Sequence, residues 1–460
     1  MRIHSYEMPR ALSLLLLAAA GVYAQDAPPD AANPPAAAPE RWNIFWQATS
    51  IGQAHDNFHA PYTGPESLSG PAEAEASLTT TLFTGFRLAQ YTELYFDPEI
   101  AGGKGFSNVD GLANASNGEL PRVSSATPKP YLARLYLAQD FGFGDEKEDV
   151  ESDTNQLGGA RPMTRYSIYA GRFTVTDFFD KNSYSNDPRT QFMGWAVMFN
   201  GAWDYPADTR GYTWGWVHEF HTRNWSVRYA SAAEPKVANG EQFDRRLFRD
   251  RGDMFEGERR YAPHKHPGVA RLLAFLLHTD SGSYGEALQL AAKNGTTPDI
   301  NDTLQVGRLK YGVGLNMEQE IAKDVGVFGR LGWNDGKTES FAFTAIDRLA
   351  TGGVSFNGSR WGRPNDTMAT ELTVSGLSAV HADYLAHGGL DFLIGDGRLR
   401  YGPETIWETY YSARIREGLF TSLDAQYAVN PAYNRDRGPV WIGSLRLHVE
   451  LGKKTFTRQP

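Results

Sequence analysis

The chain has 460 residues, a net charge of −9, no cysteine, 22% charged residues and 13% aromatic residues. A mean hydropathy of −0.46 excludes a polytopic helical membrane protein, and the mild acidity argues against a nucleic-acid partner, which needs a clustered basic face. Without cysteine there is neither a disulfide nor a lipidated thiol, and the length allows one large domain or two to three ordinary ones.

Residues 1–24 read as a secretory signal. Arg2 and Arg10 supply the basic region, Ala11 to Gly21 the apolar core, and Val22-Tyr23-Ala24 a small-x-small-like cleavage site. A core of about a dozen residues is too short to span a bilayer stably. Residues 25–40 are rich in Ala and Pro, lack periodicity and read as a linker. No later window approaches the roughly 20 apolar residues of a spanning helix. If the mature chain enters a membrane, only a closed barrel satisfies its backbone there.

From Arg41 onward the pattern has period two. Trp42, Ile44, Trp46 and Ala48 alternate with Asn43, Phe45, Gln47 and Thr49. The rhythm recurs at Tyr131, Ala133, Leu135 and Leu137 against Arg134, Tyr136 and Ala138, and at Trp225, Val227 and Tyr229 against Ser226 and Arg228. It continues at Tyr311–Met317, Val325–Trp333, Thr405–Ala413 and Leu423–Tyr427. The last run is the clearest: Trp441, Gly443, Leu445, Leu447, Val449 and Leu451 oppose Ile442, Ser444, Arg446, His448 and Glu450. Such alternation marks strands with one apolar and one polar face. Asn334-Asp335-Gly336, Gly352-Gly353, Asn357-Gly358, Asp396-Gly397 and Arg416-Glu417-Gly418 read as turns between them. Roughly 14–18 strands fit, the order of an even-numbered membrane barrel.

Three stretches break the rhythm. The acidic run Asp145–Asp153 reads as an exposed loop, Glu241–Arg260 as a long loop or short helix, and Gly285–Lys293 as a helix outside or plugging the barrel. Tyr212, Trp214, Trp216 and His218 share one parity, as a lipid-facing girdle or as flat platforms in the lumen, with the girdle favoured. There is no HExxH, no GxSxG and no phosphate-cradling glycine loop, and His264-Lys265-His266 reads as exposed loop rather than a metal site. No pair of carboxylates stands out as glycosidase acid and base. Neither cofactor nor metal is expected.

Several segments carry a family likeness. They are Gly171–Asp180 (GRFTVTDFFD), Asn186–Met193 (NDPRTQFM), Phe199–Gly215, Glu93–Gly105, Asn117-Gly118-Glu119, Trp361-Gly362-Arg363-Pro364 and Asn430–Val440. In these the chain resembles the carbohydrate-selective porin (OprB) family, over a span from about Trp42 to Leu451. The resemblance implies an all-β fold, a single transmembrane antiparallel β-barrel of 16 strands over residues 41–451, with long loops, one or two short helices and a polar tail at 452–460. It implies passive diffusion of small sugars through a polar, Arg- and aromatic-lined lumen in the bacterial outer membrane. Expected partners are small sugars, outer-membrane lipid and lipopolysaccharide, and the barrel-assembly machinery, with the barrel a monomer or homotrimer. The expected lining is Arg134, Arg172, Arg189, Gln191, Arg228, Arg363, Glu408, Arg414 and Arg446. Arg172, Arg189 and Arg363 rest on the family segments, the others on strand parity. One departure concerns the end of the barrel: such barrels usually close on an aromatic, whereas here Leu451 precedes a polar tail containing Phe456. A general porin, a barrel hydrolase with scattered catalytic residues and a soluble secreted glycan-binding β protein remain the alternatives.

Overall fold

The structure, a computed structural model, describes residues 39–120, 125–246 and 249–452. The signal segment, nearly all of the linker, and the tail with Phe456 lie outside the described residues. Sixteen strands close into one antiparallel barrel in which each pairs with its sequence neighbours and β1 pairs with β16. They are β1 Trp42–His55, β2 Glu73–Ala89, β3 Thr92–Gly103 and β4 Ser125–Val150. Next come β5 Gly159–Phe173, β6 Thr213–His221, β7 Trp225–Ala233 and β8 Arg251–Tyr261. The third quarter is β9 Gly268–Ser281, β10 Gln305–Ala322, β11 Val325–Asn334 and β12 Arg348–Asn357. β13 Thr367–Gly376, β14 Glu404–Arg416, β15 Leu419–Val429 and β16 Val440–Leu451 complete it. Closure runs from Trp46 opposite Leu451 to His55 opposite Ile442 and leaves no sheet edge.

One end of the barrel carries short connections at 90–91, 222–224, 323–324 and 417–418; the other carries long ones at 56–72, 104–124, 174–212, 282–304 and 377–403. The two faces of the wall differ as alternation requires. On β16, Trp441, Leu445 and Leu447 are exposed outward, whereas Ile442, Ser444, Arg446 and His448 are buried inward. Trp42 and Trp225 mark the outer surface near the short-turn end, and Trp214, Trp333, Trp407 and Trp441 near the long-loop end. An apolar band between two aromatic girdles is the exterior of a membrane barrel. Among the described residues no helix is long and apolar enough to cross a membrane.

Several expectations are corrected. The acidic run is not a loop as far as Val150: it continues β4, because β5 supplies ladder partners out to Asp149–Ala160 and Val150–Gly159. Half of Glu241–Arg260 is strand β8, whose period was hidden because Glu256 and Glu258 face inward while Arg259 is exposed outward. Gly352-Gly353 is not a turn but the middle of β12. A Cβ on Gly353 would lie 2.6 Å from the Phe328 ring, so glycine there makes room for an inward aromatic. Tyr131 does not share the outward parity of Leu137. Pro98 cannot donate to the ladder, the β3–β4 register shifts between Asp97 and Pro98, and Ala133 is the extra residue of the bulge. Tyr131 and Arg134 therefore both face the lumen.

Three short α-helices occur among the described residues: α1 Trp195–Met198, α2 Tyr284–Asn294 and α3 Ala379–Ala386. Ser283 and Ser378 cap α2 and α3, each accepting a backbone N–H of the first turn. The two helices meet where the Tyr284 ring stacks on His381, centroids 4.1 Å apart. His381 is fully buried, with Nδ1 3.0 Å from Asp347 and Nε2 3.0 Å from Asp391. Burial disfavours the charged ring, but Asp347 and then Asp391 outweigh it and raise its pKa to about 9.

Leu445→Arg, facing lipid, should destabilise folding into bilayers by about 2–4 kcal/mol, read as a lower urea midpoint in a gel-mobility assay. Because the His381 pKa is higher folded than the ordinary 6.5, its contribution is complete below pH 6.5 and lost as pH rises through about 9. Amide protection of Tyr284–Asn294 should fall across that window in wild type and be pH-insensitive there in His381→Gln.

Candidate functional site

The connection between β5 and β6, residues 174–212, turns into the barrel. Glycines on the inner wall create its berth: a Cβ on Gly332 would meet Asn200 Oδ1 at 2.1 Å, and one on Gly326 would meet the Tyr184 ring at 2.0 Å. Buried wall side chains then satisfy the backbone of the segment. Arg330 donates to the carbonyls of Asp180, Ser185, Val197 and Met198. Glu408 accepts from the N–H of Met193 and of Gly194. Arg446 donates to the carbonyls of Pro188 at 2.7 Å and Gln191 at 2.6 Å, and to Ser422. Phe192 packs between Phe328 and Tyr410. A second connection, 104–124, is held by Glu404, which accepts from the N–H of Ala113 and Asn114, and by Gln53 and Gln426 at the Ser116 carbonyl.

These anchors lie mainly on β8 to β16, so the segment fills that half of the lumen. The free space, about 710 Å³, lies along β1 to β7. Its lining reaches from Asp153–Gln156 and Glu450 at the short-turn end to Thr209–Gly211, Asn239 and Phe343 at the long-loop end. Charges line the middle. Arg189 reaches from the segment to the opposite wall, 2.9 Å from Glu99 on β3, 2.8 Å from Glu119 and 3.2 Å from Thr81. Glu99 also accepts from Tyr131 and Tyr212. Arg134 holds Asp177 by two bonds of 2.7 Å and lies 3.6 Å from Asp97. Arg228 is shared by Glu219, Glu256 and Glu258, and Arg271 extends that chain to Glu318. Burial opposes the charge on Arg189, but Glu119 and Glu99 outweigh it and push its pKa well above the ordinary value. Burial lifts the Glu119 carboxyl despite that neighbour, while Arg189 holds Asp187 below the ordinary carboxylate value against its burial.

Of the nine residues expected in the lining, Arg134, Arg189 and Arg228 border the cavity. Glu408 and Arg446 stand on the inner face but are spent on the segment's backbone. Arg172 donates to the Leu132 carbonyl and Asp208, under the Tyr212 ring. Gln191 folds back on Asn186, Asp187 and Ser183 of its own segment. Arg363 is on the short turn 358–366, paired with Asp366, and Arg414 is near the same end of β14 with its N–H bound to Asp366. The polar parity of a strand does not say how far along it the lumen narrows. Trp214 and Trp216 are outward, whereas Tyr212 precedes β6 and, after Gly211 at φ +87°, turns into the lumen. Glu99, Glu119 and Asp177 were not singled out, although each lies within a family-like segment; their signal was an arginine elsewhere in the chain that needed a carboxylate. His264 and Lys265 sit exposed on the short turn 262–267. Asp244, Asp250 and Asp280 converge, but the Arg246 guanidinium lies among them and supplies the positive charge.

A closed 16-stranded barrel with an apolar girdled exterior, short turns at one end and an inward-folded segment beside a charged passage is a porin. The chain belongs to the carbohydrate-selective porin, OprB family, whose model matches residues 72–451. The high-pH structure of Pseudomonas putida OprB is similar at a TM-score of 0.67 and 14% identity, over 89% of this chain and 94% of that one. Pseudomonas aeruginosa OccK5 (OpdH) aligns over 89% of this chain and 98% of its own at 10% identity and a TM-score of 0.43. A Salmonella typhi OmpF complex with daunomycin aligns over 90% and 98% at 7% identity and a TM-score of 0.48. No curated protein matches the chain.

Arg446→Ala would leave two buried carbonyls without donors, each worth about 1–3 kcal/mol. The segment should loosen from the wall, and single-channel conductance should rise roughly twofold with added flicker.

Proposed function

We propose that the chain, after removal of residues 1–24, forms a passive pathway for small, glucose-like mono- or oligosaccharides across the bacterial outer membrane. The family model supports sugars as the solute class. One observation carries the reading furthest: salt bridges of Arg134 to Asp177 and of Arg189 to Glu99 and Glu119 join the inward segment to the opposite wall at the passage. Paired Arg and carboxylate groups present fixed donors and acceptors, to which a hydroxyl-rich solute can transfer hydrogen bonds in place of water. Arg134, Arg189 and Arg228 are the lining residues assigned to solute contact, with Tyr131 and Tyr212 as aromatic surfaces beside them. Arg172, Gln191, Glu408 and Arg446 are assigned to holding the shape of the passage. No cofactor takes part, and diffusion needs no catalytic group. Lipid and lipopolysaccharide would surround the girdled exterior, the barrel-assembly machinery would insert it, and the barrel would work as a monomer or homotrimer.

Liposomes containing the protein should swell faster in glucose than in sucrose or an amino acid, and glucose should reduce ion current in planar bilayers. Arg189→Ala, which unties the segment from Glu99 and Glu119, should raise sucrose entry and narrow the glucose–sucrose difference. Equal entry of all three solutes into wild-type liposomes, with no current block by sugar, would remove the selectivity while leaving the channel.

A further inference from the structure

Lys181 and Arg210 are the cavity-lining cations that no carboxylate holds among the described residues, and Lys181 has no ring against it either. It lines the cavity and its side chain is exposed there, yet no hydrogen bond or ion pair holds it among the described residues. Arg134, Arg189 and Arg228 are each committed to two or more carboxylates, and Arg210 lies against the Tyr131 ring at 4.4 Å.

The freedom of this ammonium contrasts with the fixity of its backbone. On one side, Asp180 is buried at φ +54°, bound to Arg330 at 2.9 Å, to the Asn200 N–H at 2.7 Å and to Asn316 at 2.7 Å. On the other, buried Asn182 donates to Asn316 at 2.8 Å. Asn316 also donates to the Lys181 carbonyl at 3.1 Å. The left-handed turn at Asp180 and these clamps leave the lysine only one outlet, the passage. A long side chain on a rigid base delivers a mobile charge to a fixed place. The barrel encloses that charge although water reaches it. Enclosure pulls its pKa below the ordinary lysine value, Asp177 and Asp187 oppose the shift, and Arg134 and Arg271 add to it.

We propose that Lys181 sets the charge preference of the passage, offering an uncommitted ammonium to solutes that carry a carboxylate as well as hydroxyls, the sugar-acid class. Neutral sugars meet the paired arginines and carboxylates, whereas a sugar acid can in addition exchange part of its hydration for Lys181. The attraction is that of one charge in a wet lumen, strong enough to bias entry and weak enough to permit exit. This rests on the porin reading above, and the test separates the two.

Reversal potentials across a KCl gradient in planar bilayers read the preference directly, and current block by potassium glucuronate against glucose reads the solute class. Lys181→Gln should lower the chloride-to-potassium permeability ratio by roughly two- to fivefold and weaken glucuronate block, leaving glucose block as in wild type. Lys181→Arg should keep the wild-type ratio, and Lys293→Gln, on the exposed side of α2, should change nothing. An unchanged ratio in Lys181→Gln overturns the proposal, as does loss of channels in Lys181→Gln but not in Lys181→Arg, which would make the ammonium a requirement of assembly. Absence of any conductance in wild type would instead overturn the porin reading.

Discussion

Residues 174–212 enter the lumen with a backbone full of donors and acceptors, and the barrel wall has to answer them. That requirement governs much of the interior. Arg330, fully buried, supplies donors to four carbonyls of the segment. Glu408 takes two N–H groups and Arg446 gives to two carbonyls. The two arginines are charged groups bonded to uncharged backbone, and such bonds are stronger than neutral ones. A large side chain on the wall would push the segment out of its berth, so glycine takes positions such as 326 and 332, where the alternation rule asks only for something small. Much of the polar parity of β10 to β16 is thus consumed internally.

The consequence is an asymmetric lumen. The wall of β1 to β7 meets inward-folded chain at fewer places, such as Gln53 at Ser116 and Arg134 at Asp177, so much of its polar parity faces the passage and its charges are paired across that space. Arg189 and Arg134 do so in opposite senses: Arg189 extends from the segment to carboxylates on β3 and the 104–124 connection, whereas Arg134 extends from β4 to Asp177 on the segment. Each bridge spans the gap between filled and open halves. Width and charge are therefore not separable, since any change that breaks a bridge also exposes an ion.

Much of this was legible in the alternation, because a barrel buries one face in lipid and repeats that demand at every strand. β1, β7, β14 and β16 could be read residue by residue. β8 could not, because Glu256, Glu258 and Arg259 place charge on both parities, the outward one lying opposite Trp225 at the rim. Tyr131 was misread for a different reason: Pro98, 33 positions earlier, forces a bulge in the partner strand, and a bulge reverses parity. In the site, arginines were legible as types and their partners were not. Arg189 meets Glu99 and Glu119 only because the segment folds inward, and Arg446, on the most regular strand of all, faces not water but the carbonyls of Pro188 and Gln191.

The use made of each arginine bears on what such a passage can discriminate. A bare guanidinium in a narrow lumen would hold anions and repel cations, and an unmatched carboxylate would do the reverse. Pairing them cancels most of the long-range field while leaving hydrogen-bonding capacity at short range, where a neutral polyol can use it. Small ions lose more on entering such a space than a sugar does, because they exchange bulk hydration for groups already committed to one another. A weak preference for uncharged hydroxylated solutes then needs no dedicated binding pocket, only a passage crossed by paired charges. The ammonium at Lys181, held by no carboxylate, departs from that pairing, as does the Arg210 guanidinium against the Tyr131 ring.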